Sequence, residues 1–460
     1  MKKVVKKVAL LLLVFGIGVG VTLLYTNNKY KVYDEEEPKQ IKKHVDTISM
    51  MLETEAGSGN YEMTTASSWP TEGYVFNTEL SKCEHGSELS WDDANKTVLM
   101  SGNVSDKCYV YFDVEIPPTI ADFCNSGDTL TTCVKNFGNQ ATDMSNIYIH
   151  NSGLTNGAGD NSYRYSGANP NNYVCFGTNT TPCPTDNLYR IIGVFGDQVK
   201  LIKSDYATTA LLGADGDYSK MYTANYWSDS AYKGNNLANV AAYNWNKSNQ
   251  NTWSLSNLNK TNLNTNFITN IGADWADKID MTTWKVGGNT GNEIFNRPAK
   301  TAYQNEIVNP VTKNSQDNKT ELEAKIGLMY ASDYGFAAAP SAWTTNLYHY
   351  DGAAIKSVNW MYMGLDEWTI SRTADLSDNA FRVLSTGDVN NGTVGHLAYA
   401  VRPVFYLTSS VNYASGSGGA TDPITINWLT DSFGKASVKP SKNEVNNSTY
   451  VERFASFFEL

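Results

Sequence analysis

The 460 residues carry a formal net charge of −11, with 18% charged and 12% aromatic side chains. That acidic balance argues against nucleic acid as a partner, since phosphate binding needs clustered lysine and arginine to release counterions. It also excludes an intrinsically disordered chain, which would be poorer in aromatics and richer in charge. The length suffices for two or three domains.

In chain order, four lysines within Met1–Lys7 precede an uncharged run, Val8–Tyr25. A helix of that length is about 27 Å long, close to the roughly 30 Å of a bilayer's hydrocarbon core. The positive-inside rule places the lysines in the cytoplasm. Residues 1–30 are therefore expected to be a cytoplasmic stub and a single membrane anchor through residues 8–25, with the bulk of the chain extracellular. A cleaved signal peptide is the competing reading, although the one small-x-small candidate, Gly18-Val19-Gly20, lies inside the apolar run.

Residues 31–60 are expected to form a stalk helix and linker, because Ile41, Val45, Ile48 and Leu52 make one apolar stripe within Pro38–Glu55. Residues 61–116 read as a small all-β domain. Leu89 and Trp91, then Val98 and Met100, alternate with polar neighbours, and Lys107–Val114 is dense in aromatic and β-branched side chains. Pro117-Pro118 marks the next boundary. The six cysteines fall in three neighbouring pairs, Cys83/Cys108, Cys124/Cys133 and Cys175/Cys183. An even count in an exported chain suggests disulfides, and sequential pairing is the most economical scheme. Free thiols or a metal site are the alternatives.

Residues 117–428 read as a head domain with an N-terminal extension. Ile120–Phe137 suggests a short helix-loop-helix. Tyr173–Gly177 and Leu188–Phe195 read as strands, and Gly196-Asp197 turns the chain into Gln198–Ile202 as a hairpin. Leu263, Phe267, Ile271 and Trp275 predict a helix over residues 258–279. Leu322, Ile326 and Met329 predict another over Glu321–Tyr330. Residues 429–460 are placed as a C-terminal tail.

One block carries a family resemblance. Trp360-Met361-Tyr362-Met363-Gly364-Leu365-Asp366-Glu367-Trp368 is followed by Gly387-Asp388-Val389 and then by Val401-Arg402-Pro403-Val404-Phe405. This pattern resembles the C-type-lectin-like fold in its formylglycine-generating-enzyme, or sulfatase-modifying, branch, as in uncharacterised exported bacterial surface proteins. The likeness covers roughly residues 145–427. It implies an α+β C-type-lectin-like head domain, preceded by the transmembrane helix, the stalk helix and the small all-β domain. It further implies Trp360, Glu367, Trp368 and Arg402 as a structural core motif, and the C-terminal loops as the ligand face. The enzymes of that branch use cysteines to hold copper in this part of the fold. No cysteine follows Cys183, so that activity is not expected.

The residues themselves offer little catalytic chemistry. No HExxH, P-loop or GxSxG motif is present. Asp366 and Glu367 are adjacent, and adjacent strand residues point to opposite faces, so they do not converge on one substrate atom. Asp388, Asn390 and Asn391 offer oxygens of the kind calcium takes; no calcium motif supports them, and plain turn chemistry is the alternative. No cofactor or metal is expected. Aromatic faces and amides suit glycans or protein epitopes, and two loops concentrate them: Trp343, Tyr348, His349 and Tyr350 in one, Asp388, Asn390, Asn391 and His396 in the other. The expected function is a membrane-anchored surface protein that binds a glycan or protein without catalysis. A cell-wall-acting enzyme with an unrecognised site and a pilus-like subunit are the alternatives.

Overall fold

The computed structural model describes residues 48–428, apart from 103–105, 126, 142–143, 223–230 and 312–318. Two compact units divide the chain, Met1–Pro117 and Pro118–Leu460. Strands make up the regular structure of the first, and the second sets strands among short helices.

In the first unit, the strand Ile48–Glu53 pairs in parallel with Cys108–Val114, and antiparallel with Tyr61–Met63. Tyr74–Phe76 and Lys82–Cys83 complete this five-stranded sheet on the other edge of Cys108–Val114. A separate hairpin joins Glu88–Asp92 to Thr97–Ser101. The core is small: Met50, Phe76, Val110 and Phe112 are buried, and Trp91 packs on both phenylalanines. A Cys83–Cys108 disulfide closes it.

This arrangement corrects the stalk. The part of the expected stalk helix that is described, Ile48–Glu53, is a strand. Its apolar residues satisfy a period of two (Ile48, Met50, Leu52) as well as the helical stripe, and pairing with Cys108–Val114 buries Met50 in the core. A shared hydrophobic pattern leaves the choice to the partner strand.

The second unit is built on a seven-stranded antiparallel sheet. Its order runs Ile326–Gly327, Val404–Tyr406, Gln198–Lys203, Leu188–Phe195, Tyr163–Tyr165, Ile147–Ile149, with Tyr173–Cys175 beside Leu188–Phe195. The hairpin at Gly196-Asp197 is present, and nearly every residue of its two strands is buried. Both faces are covered, so the charged Arg190, Lys200 and Lys203 are buried along with the apolar side chains. Gly193 is required here: a Cβ would lie 2.2 Å from the Tyr163 carbonyl oxygen on the neighbouring strand. Smaller sheets surround this one, notably Glu367–Arg372, Asn379–Val383 and Val389–Thr393.

Ile120–Phe123 and Leu130–Gln140 form the expected helix-loop-helix, tied by Cys124–Cys133. Cys175–Cys183 closes the connection into Leu188–Phe195, so the three bridges follow the sequential scheme. Residues 258–276 are helical in three pieces, Leu258–Phe267, Ile268–Ile271 and Ala273–Ala276. The break falls at Gly272, whose φ of 84° ends the second piece.

Two further expectations fail. Glu321–Tyr330 is not a helix: Glu321–Ala324 pairs with Thr282–Lys285, and Ile326–Gly327 joins the central sheet. Edge pairing satisfies the backbone there better than a lone helical turn. The expected fold class, an α+β C-type-lectin-like head behind a transmembrane helix and a stalk helix, is likewise overturned. The described residues are mostly sheet, with 22% of them helical. No helix among the described residues is long and apolar enough to cross a membrane. The apolar run at residues 8–25, the first part of the stalk and the tail at 429–460 lie outside the described residues.

Candidate functional site

The motif block is interior. Strand Glu367–Arg372 is buried along its whole length. Arg402 donates from Nε to Oε1 of Glu367 at 2.7 Å and from Nη2 to Oε2 at 2.8 Å, and Nη2 also reaches the Met361 carbonyl. Burial opposes the Arg402 charge, but the facing carboxylate outweighs it and holds the guanidinium protonated. Trp368 donates its indole N–H to the Tyr243 carbonyl and Trp360 donates to the Tyr165 carbonyl. Trp360 also covers the Arg190 guanidinium, which lies over the Tyr173 ring as well and donates to Asn172 Oδ1 and the Pro170 carbonyl. Asp366 and Glu367 face different partners, since Asp366 accepts from the Ser385 N–H and pairs with Arg382.

The eight loop candidates separate. Trp343 and Tyr350 are fully buried. Trp343 packs on Tyr148, His150 and Phe336, and the Tyr350 hydroxyl donates to the Gly335 and Ala342 carbonyls. Asp388 is buried and accepts from the Thr386 hydroxyl. His396 is exposed in the turn after Val389–Thr393, at the end remote from Asp388. Asn390 Oδ1 accepts the Asn391 N–H, and Asn391 Oδ1 accepts from the Asn379 amide. Among the described residues, no group of three or more His, Cys, Asp or Glu side chains could hold a metal ion.

Tyr348, His349 and Asn391 do come together. The single turn Leu347–His349 packs against strand Val389–Thr393. Tyr348 is 41% exposed and lies against Phe295, with ring centres 5.7 Å apart. Gly291 backs both sides of this patch: a Cβ there would meet the Phe295 ring at 2.7 Å and the Asn391 amide nitrogen at 3.5 Å. Asn292 and Asn296, linked by an amide hydrogen bond, and the Arg297–Glu293 ion pair border it. The result is one exposed ring, Tyr348, resting on the half-buried Phe295 with amide side chains nearby. Phe295 and the two asparagines beside it escaped sequence reasoning because nothing in the local pattern tied residues 291–297 to residues 348 and 391.

Sequence reasoning also missed a buried charge network. Arg164, inside the polar run Ser152–Asn172, reaches Asp160 at 2.6 Å and Asp333 at 3.4 Å. Lys200 meets the other oxygen of Asp333 at 2.5 Å. Arg164, Lys200 and Asp333 are each about 1% exposed. Burial would raise Asp160, but the Arg164 charge and hydrogen bonds from Ser162 hold it down at about 2. Burial, aided by Arg164, pushes His150 down to about 2, so its imidazole stays neutral and Nδ1 accepts the Ala158 N–H. Burial lifts Glu306 to about 7, against hydrogen bonds from Ser332 and Ser371. The available signal was Tyr163-Arg164-Tyr165, an alternating strand-like triplet within a run otherwise read as loop.

No protein-family model, curated protein or solved structure matches this chain.

Proposed function

We propose that the chain is an exported surface protein that binds a glycan or protein ligand without catalysis, held at the membrane by residues 8–25. The observation that carries this reading is the exposed Tyr348 ring, backed by the half-buried Phe295, with Asn292, Asn296 and Asn391 nearby. Aromatic faces stack on sugar rings or apolar epitopes at low entropic cost, and amides adapt their hydrogen bonds to either. The disulfides support an oxidising, extracellular setting. Glu367 and Arg402, the charged members of the motif block, are spent on pairing with each other in the interior, which favours a scaffold role for that block.

The test is a glycan array and a surface pull-down with residues 31–460, with Tyr348→Ala alongside. Binding that disappears in the variant supports the reading. A folded sample that binds in neither assay overturns it.

A further inference from the structure

The Lys200–Asp333 contact combines features that a structural ion pair does not need. Lys200 lies in the central strand Gln198–Lys203 and Asp333 in the first turn of the helix Ala331–Ala337, 133 residues apart in sequence. Nζ and Oδ2 are 2.5 Å apart, both side chains are about 1% exposed, and rings of Phe195, Trp284, Tyr330 and Tyr406 surround Nζ at 4.7–5.7 Å. Asp333 is held from both sides: the Tyr330 N–H donates to Oδ2 at 3.0 Å, and Arg164 Nη1 faces Oδ1 at 3.4 Å.

We propose that Lys200 and Asp333 join in an intramolecular isopeptide bond, formed by the folded protein itself. Water is excluded, so the ordinary preference of ammonium and carboxylate for staying ionised is weakened. A proton passes from Nζ to Oδ2 along their hydrogen bond, giving a neutral amine and a neutral carboxyl. The nitrogen lone pair attacks Cγ, and the carbonyl π electrons move to Oδ1. Arg164 faces that oxygen and stabilises the negative charge as it develops. A second proton moves from nitrogen to the Oδ2 hydroxyl, the Cγ–Oδ2 bond breaks, and one water leaves. The carbonyl re-forms at Oδ1, and the product is a neutral amide. The balance is one amine and one carboxylic acid giving one amide and one water, with no oxidant or other reactant. Asp160, bonded to Arg164, is 18% exposed.

The neutral amide also relieves the fold. It replaces a desolvated ion pair with a group that buries at lower cost, its oxygen Oδ1 still facing Arg164, while the Tyr330 N–H loses Oδ2 with the departing water. The sheet and the helix would then be tied covalently.

Intact mass measurement of the full-length chain, denatured and with its disulfides reduced, tests the proposal. The expected result is a mass lower than that of the sequence by one water, with a tryptic digest containing the Lys200 and Asp333 peptides linked. Lys200→Arg keeps the charge opposite Asp333 and should show the full sequence mass. Wild-type protein at full mass overturns the proposal. So does a missing water that persists in Lys200→Arg or maps to other residues.

Discussion

The guanidinium of Arg402 forks onto the carboxylate of Glu367 with no solvent on either side, at 2.7 and 2.8 Å. The two residues lie 35 positions apart and bring the strand Glu367–Arg372 against the turn before Val404–Tyr406. Two matched N–H···O bonds cancel much of the cost of burying both charges. Glu367→Gln leaves Arg402 buried without a counter-charge, so it should cost about 3–5 kcal/mol of stability. Denaturant unfolding of the purified variant measures this. A change below about 1 kcal/mol would show that the pair is solvated in solution.

Glu306 makes stability depend on pH. Its folded value, about 7, exceeds its ordinary 4.5, so the folded chain binds more protons than the unfolded chain between those values. The stabilisation is complete below about pH 4.5 and is lost as pH rises through 7. Glu306→Gln removes this dependence. Relative to the variant, the wild type should lose on the order of 3 kcal/mol between pH 4.5 and 8. Parallel unfolding curves across that range would contradict the assignment.

His150 works in the opposite direction. Its folded value of about 2 lies below the ordinary 6.5, so the unfolded chain takes up a proton that the folded chain refuses. Stability should therefore decline as pH falls below about 6.5. A histidine C–H resonance that stays at its neutral position in the folded protein at pH 4.5 is the expected signature. Titration of that resonance near pH 6 would refute the burial argument.

Tyr348 is the most accessible ring of the candidate face, and its side chain closes no core cavity. Tyr348→Ala should weaken ligand binding at least tenfold, about 1.4 kcal/mol, while unfolding changes by less than about 0.5 kcal/mol. Trp343→Ala, by contrast, should destabilise the second unit by about 3–5 kcal/mol, because that ring is wholly interior. Equal effects of the two substitutions on binding and stability would remove the distinction between surface and core.

The first unit has a small core, so its disulfide carries much of the burden. Replacing Cys83 and Cys108 by alanine should cost about 3 kcal/mol. Loss of near-ultraviolet circular dichroism from residues 48–117 at a lower denaturant concentration would register it.

Local chemistry pointed to the hairpin at Gly196-Asp197, the helix-loop-helix at residues 120–140 and the close Cys124–Cys133 and Cys175–Cys183 bridges. In each, a turn residue, a capping pattern or a short loop fixes the partner within a few residues. The strand at Ile48–Glu53 was beyond that reach. Its apolar spacing fits a helix and a strand equally, and a parallel partner some 60 residues on settled the matter. The same holds for Glu321–Ala324, whose partner lies at Thr282–Lys285.

The sites divide along the same line. The motif pattern implied Glu367 and Arg402 as parts of one structural core, and the tertiary structure paired them. The sequence also pointed to aromatic, amide-rich loops. Which of those side chains reach the surface was a tertiary outcome: Trp343 and Tyr350 fill the core, while Tyr348 meets Phe295 beside Asn391. The Lys200–Asp333 contact was equally invisible, since it joins residues 133 apart through a sheet and a helix that pattern alone does not bring together. Periodicity, turns and charge type act over a few residues, whereas burial and pairing are set by whichever distant segments pack on them.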